Sequence, residues 1–425
     1  MSISIKEYNL GGEMNLHVIT TDKFKTIHTD IFFHRALNKD TATLNALLPM
    51  VMKRGCESLP DSIQIERFLE NMYGANFYSN ILKKGERHII SFGLTTIHPK
   101  YSGDSALLDM GLNFLNDIIS KPLVKDGGFN EAYVIQEKQN LKDLIESLIN
   151  DKTQYAVERC IQEMCKDEPF STYVYGTVEA LSAIGAKELF SHYEDVLSNS
   201  PIDIFILGDV NPDEIYNKIN SIFKWPRGDI KYVPKEAIKK VVDKPKKIIE
   251  HMDVLQGKLA LGLRTNVPPE DPSYPALMLY TNILGGGPHS KLFLNVREKA
   301  SLAYYASASL EKYKGLMLIN SGIDVKNYDK AVGIILEQLN DMKKGNISTQ
   351  EMNLAKKALT TSLRTVKDSH FQLVDYYLGN AIIKKQIAID ELINSINEIQ
   401  IEEVVNVAQN VNLDTIYFLS GKEEA

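Results

Sequence analysis

Cysteine is scarce: Cys56, Cys160 and Cys165 are the only three in 425 residues. Three thiols cannot build a disulfide framework, and none has the paired spacing of a zinc finger, so reduced and buried thiols are expected. Long apolar runs are missing. No stretch approaches the roughly 18 residues needed to cross a bilayer. The start, Met1-Ser-Ile-Ser-Ile-Lys-Glu-Tyr8, has no basic region followed by an apolar core, which predicts a cytoplasmic chain without a secretory signal. Basic excess is absent as well: Lys+Arg 48 against Asp+Glu 55 leaves −7, a balance that repels phosphate backbones and argues against nucleic acid. With 25 Gly and 15 Pro the chain is not collagen-like, and 44% hydrophobic with 24% charged residues excludes a disordered polypeptide.

The usual catalytic signatures are also lacking. Nine histidines stand at 17, 28, 34, 88, 98, 192, 251, 289 and 370, and no two are four apart on a helical pattern as a zinc pair would be. His28 and His34 share strand parity, but six residues of strand separate the rings by about 20 Å, too far to share a metal. There is no Gly-x-Ser-x-Gly elbow and no phosphate loop. Gly285-Gly-Gly287 lacks the Lys-Ser/Thr that a phosphate cradle needs.

What is present is a duplicated pattern. The length suggests about two to three domains. Trp225 to Lys247 holds three prolines and seven lysines against three acids, the composition of an exposed linker. The expected organisation is residues 1–224, a Lys/Pro-rich linker over 225–250, and a second half over 251–425. Each half opens with strands, continues with long helical patterns and closes on two short helices and a final strand. Pro201-Ile-Asp-Ile-Phe-Ile-Leu-Gly-Asp209 parallels Asn412-Leu-Asp-Thr-Ile-Tyr-Phe-Leu-Ser-Gly421, with Leu207 and Leu419 half the chain apart. Hairpin turns such as Lys84-Gly-Glu86 join the strands. The fold class is therefore α+β, two similar domains, each a mostly antiparallel sheet packed with helices. The space between two such halves is the expected place for a ligand.

Several stretches carry a resemblance. Leu284-Gly-Gly-Gly-Pro-His-Ser-Lys-Leu-Phe-Leu-Asn-Val-Arg297, followed by Leu302-Ala-Tyr304, resembles the C-terminal signature of the pitrilysin/insulinase-type peptidases. Glu168-Pro-Phe170 with Gly176-Thr-Val-Glu179, and Phe129-Asn-Glu131 with Gln136-Glu-Lys138, resemble two further stretches of that family. The likeness spans nearly the whole chain and implies the duplicated half-ring fold. It also implies a His-x-x-Glu-His zinc motif on the first helix of active members, in which two histidines and a later glutamate hold Zn²⁺ and the inner Glu is the general base.

The corresponding residues here are Ala46-Leu-Leu-Pro49-Met50, and Asp143 or Leu144 stands where the third ligand would be. The resemblance thus implies a chain that binds no zinc itself. Arg297 and Tyr304 match the family's Arg/Tyr pair, which contacts the carbonyl region of a bound peptide, with Tyr305 a rival for the second role. Together these imply the metal-free subunit of a heterodimeric zinc peptidase. Zinc would sit on a homologous partner bearing the motif, this chain would close the peptide chamber, and the isolated chain could form a homodimer. The alternative implied by the family is a non-proteolytic binding or scaffold member.

Overall fold

The computed structural model describes residues 3–421. Packing divides them into two units, one made of the chain up to Glu146 with Thr172–Pro234, the other of Ser147–Ser171 with Lys235 onward.

The first unit holds strands β1 (Ser4–Asn9), β2 (Met14–Thr20), β3 (Thr26–Ala36), β4 (Asn76–Lys84) and β5 (Arg87–Ile97). It also has a two-residue ribbon of β6 (Val124–Lys125) and β7 (Gly128–Phe129), and finally β8 (Ile202–Gly208). The sheet order is β1-β2-β8-β3-β5-β4. The second unit holds β9 (Lys246–His251), β10 (Gly257–Arg264), β11 (Ala303–Glu311), β12 (Leu316–Ile323) and β13 (Asn412–Ser420), ordered β11-β12-β10-β13-β9. Apart from β1, which has no counterpart in the second sheet, these orders are one topology twice. β8 runs parallel to β2 and antiparallel to β3; β13 runs parallel to β9 and antiparallel to β10. Leu207 pairs with His28 and Leu419 with Lys258, so the repeat read from the sequence is also a repeat of strand position. Both closing strands are interior to their sheets and nearly continuously buried, which is why they read as apolar runs rather than alternations. The β4–β5 hairpin closes on a two-residue turn whose Gly85 takes φ 58°, the positive φ such turns require.

One face of the first sheet carries the core. Ile31, Phe33, Ile90, Phe92, Ile204 and Ile206 meet buried residues of the helices Lys39–Met52 and Leu107–Ser120. The first of these helices is capped by the Asn38 side chain, which accepts from the Asp40 N–H.

The contiguous halves expected from the sequence are not how the packing divides. Helix Lys152–Met164 buries Ala156, Cys160, Ile161 and Met164 against Ala260, Leu318, Tyr417 and Leu419 of the second sheet. A buried ionic group fastens the same segment: Arg264 Nη2 lies 2.6 Å from Glu168 and its Nε 2.9 Å from Asp414, while Lys314 Nζ is 2.8 Å from Glu168. Burial alone would raise the Glu168 pKa, yet Arg264, Lys240 and Lys314 hold it down at about 2. Tyr155 and Tyr417 both donate to Glu250 at 2.7 Å. An amphipathic helix goes where its apolar stripe is matched, and here the match is with the second sheet. The 225–250 linker is also shorter than its composition suggests. Trp225 is buried, stacked on Phe223 with its Nε1 donating to Asn116 at 3.0 Å, and Lys246–His251 is β9.

The three cysteines are free and buried. Among the described residues no helix is long and apolar enough to cross a membrane.

Candidate functional site

The helix Lys39–Met52 sits where the resemblance places a zinc motif. Ala46 and Pro49 are buried and Met50 is partly buried. Pro49 has no N–H, and its carbonyl accepts from Ser79 Oγ on β4 at 3.1 Å. A methyl, a pyrrolidine ring and a thioether offer none of the imidazole, carboxylate or thiolate donors zinc takes, so these residues do not fit the metal. At the third-ligand region Asp143 is exposed and accepts from Gln139 Nε2 at 2.7 Å, and Leu144 is exposed. The nearby Glu137 is buried, with Arg54 Nε at 3.3 Å and Asn140 Nδ2 at 3.0 Å. Among the described residues no group of three or more His, Cys, Asp or Glu could hold a metal ion. His28 and His34 serve separate contacts: His28 Nε2 lies 2.8 Å from Asp30, His34 Nε2 2.9 Å from Asp203.

One residue before Ala46, the same helix carries a polar feature that sequence reasoning missed. Asn45 is fully buried between His88 of β5 and His192 of helix Ala186–Asn199. His88 Nε2 is 2.8 Å from the Val174 carbonyl, which can only accept, so that nitrogen carries the proton. His88 Nδ1 then accepts from Asn45 Nδ2 at 3.1 Å, and His192 Nε2–H donates to Asn45 Oδ1 at 2.8 Å. Every bond in the chain is consistent with two neutral rings. Burial pushes both imidazole pKa values down to about 4. The signal available in the sequence was an Asn inside an otherwise apolar helical run.

The second unit positions the Arg/Tyr pair. After helix Tyr274–Gly285, Ser290 Oγ donates to the Gly287 carbonyl at 2.6 Å. The buried Lys291 donates to the Asn346 carbonyl at 2.7 Å and pairs with Glu351 at 2.8 Å. The segment that follows forms a wide π-type turn over Phe293–Lys299, a form enriched at functional sites. Asn295 ties it to Gln338 Oε1 at 2.7 Å. From this turn Arg297 stacks its guanidinium on the Phe293 ring at 4.5 Å, with Nη1 3.7 Å from Glu298 and 42% of its side chain exposed.

Tyr304 stands in a β-bulge: Ala303 pairs with Ile323 and Tyr305 with Gly322, so Tyr304 is the extra residue. A bulge re-aims the side chain it carries. Tyr304 is 68% exposed, and its hydroxyl makes no hydrogen bond among the described residues. The rival Tyr305 is half-buried, its hydroxyl 3.2 Å from Thr153 Oγ1 and Lys258 Nζ above its ring. The bulge therefore separates two adjacent tyrosines into one engaged and one open. Of the other motif residues, Glu168 is the ionic hub described above. Thr177 caps the helix Val178–Ala183 and donates its N–H to Thr43 Oγ1 at 3.2 Å.

Residues 183–359 match the family model described as the peptidase M16 inactive domain. A Bacillus subtilis relative described as a probable inactive metalloprotease, YmfF, is 36% identical over 415 residues, 97% of each chain. A solved structure of a conserved protein from Enterococcus faecalis V583 superposes with TM-score 0.91 at 32% identity, covering 99% of both chains. The peptidase M16 inactive domain from Pseudomonas fluorescens shares the fold at TM-score 0.83 and 15% identity, again over 99% of both. The chain belongs to the M16 peptidase family, as a non-catalytic, peptidase-like member.

Proposed function

We propose that this chain is the metal-free subunit of a two-chain zinc peptidase, and that it presents Arg297 and Tyr304 to a peptide bound at its partner's metal. The observation that carries the reading is the open state of the pair: a part-exposed guanidinium laid on Phe293 whose only carboxylate contact among the described residues is Glu298 at 3.7 Å, and a phenol hydroxyl re-aimed by a bulge into solvent. A structural Arg or Tyr would be expected to be engaged, as Arg264 and Tyr305 are. Arg297 can donate to a peptide carbonyl, and the Tyr304 hydroxyl can donate to an oxygen that gains negative charge. Zinc on the partner would supply the activated water. A second reading, a non-proteolytic scaffold, is favoured by the sealed packing of Ala46 and Pro49, which leaves nothing to suggest that this chain recovers a metal of its own.

The two readings separate in one experiment. The chain is purified with a His-x-x-Glu-His homologue from the same organism, the complex is verified by size-exclusion chromatography, and cleavage of a quenched peptide library is followed. Arg297→Ala and Tyr304→Phe should each lower kcat by about a hundredfold or more with the complex intact. Unchanged cleavage in both variants leaves the scaffold reading. Failure of the chains to associate removes the two-chain reading altogether.

A further inference from the structure

The helix Leu107–Ser120 has an outward side that the M16 reading leaves without a role. A cavity of about 400 Å³ opens between it, the loop at Ser58–Leu59 and Phe68 of the helix Ser62–Asn71. That volume lies within the range of small-ligand pockets. Its apolar side is Leu59, Phe68, Met110 and Phe114, with the two Phe rings stacked at 5.4 Å. Its polar side is a ladder at four-residue spacing, Asp109, Asn113 and Asp117, together with Ser58, and residues four apart share a helix face.

Only one side-chain N–H of that wall, on Asn113, is left uncommitted. Ser58 Oγ donates to Asp117 Oδ2 at 3.0 Å, and Asn113 Nδ2 donates to the Asp109 carbonyl at 2.7 Å. No cationic side chain lines the cavity. Lys121 and Lys218 reach Asp117 and Asp109 from outside it, in partly exposed pairs of the weak kind that exchange readily. Acceptors therefore dominate the space above an aromatic floor. A ligand that fits must bring hydrogen-bond donors and positive charge at one end and apolar area at the other.

We propose that this groove is a binding site for a small organic cation, an ammonium or guanidinium joined by a short arm to an aromatic or branched apolar body. The body lies on Phe68, Met110 and Phe114, and the cationic end displaces a lysine from Asp109 or Asp117. The site belongs to the first unit alone and does not depend on the Arg297/Tyr304 reading.

A matched series tests it: tryptamine, tryptophol and indole-3-acetate share the indole and differ only in carrying a positive, a zero and a negative charge. Each is titrated into the full-length protein, with binding read by calorimetry and by ligand-observed NMR. Tryptamine should bind at least tenfold tighter than tryptophol, and indole-3-acetate should not bind. The double substitution Asp109→Asn with Asp117→Asn should reduce tryptamine to the tryptophol level. Met110→Trp, which fills the cavity, should abolish binding of both, with thermal melts confirming that the variants fold. Equal affinity for amine and alcohol, tryptamine binding that survives Met110→Trp, or no binding by the wild-type protein would each overturn the proposal.

Discussion

The two units solve one structural problem with different chemistry. Leu207 pairs with His28 and Leu419 with Lys258, so six residues further along β3 and β10 the duplication matches His34 with Arg264. Each is a buried nitrogen-bearing side chain facing a carboxylate on the closing strand: His34 Nε2 lies 2.9 Å from Asp203, and Arg264 Nε 2.9 Å from Asp414. In the second unit the carboxylate stands in a bulge between Leu413 and Thr415. In the first unit the pair extends through imidazoles. Asp203 accepts from His17 at 2.9 Å, and His17 reaches Glu7 of the edge strand β1 at 2.9 Å. Burial works against charge on both groups, yet the two histidines hold the Asp203 carboxyl far below its ordinary range. The bonds to Asp203 and Glu7 in turn push His17 up to about 9. A guanidinium keeps its proton throughout the ordinary pH range and an imidazole does not. At these matched positions the first unit is therefore built to feel pH on the alkaline side, where the second is not.

The largest effect is expected from the guanidinium. Arg264 serves Glu168, Asp414 and the Met164 carbonyl at 3.1 Å. Arg264→Met leaves two carboxylates buried without their shared cation, which costs about 3–5 kcal/mol. The loss should fall on the second unit. The only tryptophan, Trp225, lies in the first unit, so its fluorescence reports that unit while far-UV circular dichroism reports both. A urea titration should show the dichroism midpoint falling with the fluorescence midpoint nearly in place. If both fall equally, the units unfold as one and the comparison breaks.

Next comes pH. His17 has a folded pKa above its unfolded value, so its contribution is complete below about pH 6.5 and is lost as pH rises toward 9. His88 and His192 are shifted the other way; their contributions are complete above about pH 6.5 and are lost as pH falls toward 4. Each shift is worth about 3 kcal/mol. Stability read through Trp225 should therefore peak near pH 6.5 and decline on both sides. Glu168, with its folded pKa lowered, begins to lose its contribution only below about pH 4.5. The second unit should stay level from about pH 6.5 to 9, and below that range the partly buried His289, whose imidazole is held low by desolvation, begins to weaken it. A flat fluorescence-detected profile would show that the imidazole networks do not carry the charges assigned to them.

The contrast also explains what the sequence could reveal. The duplicated α+β architecture was legible because β8 and β13 are buried on both faces and read as apolar runs in matching places. Arg297 and Tyr304 stood out through their motif, and the bulge that distinguishes Tyr304 from Tyr305 needed the strand register. β1 escaped notice because its SIKEYN carries little buried surface, and β9 because its lysines resemble linker. The placement of Ser147–Ser171 with the second unit depends on Glu168 finding Arg264 across 96 residues, and nothing local announces such a partner. Buried polar chains such as His88–Asn45–His192 are equally non-local.

A smaller effect tests the matched positions directly. His34→Leu removes one partner of Asp203 but leaves His17 in place. The cost should be about 1–3 kcal/mol, that of one buried acceptor left short of a donor, and should appear in the fluorescence midpoint. If His34→Leu proves as damaging as Arg264→Met, the two pairs are energetically alike and the chemical distinction drawn between them is wrong.

The finest distinction lies within two adjacent residues of the second unit. Tyr305→Phe removes the 3.2 Å contact with Thr153, which anchors the start of the helix Lys152–Met164 to the sheet. It should cost about 0.5–1.5 kcal/mol in the dichroism midpoint. Tyr304→Phe removes a hydroxyl with no hydrogen bond among the described residues and should leave that midpoint unchanged. A residue free of structural duty can still lower cleavage in an assembled complex, and that combination is what a substrate-facing phenol requires. If Tyr304→Phe destabilises the unit as much as Tyr305→Phe does, the bulge does not set its ring apart, and Tyr304 belongs to the packing of β11 rather than to a site.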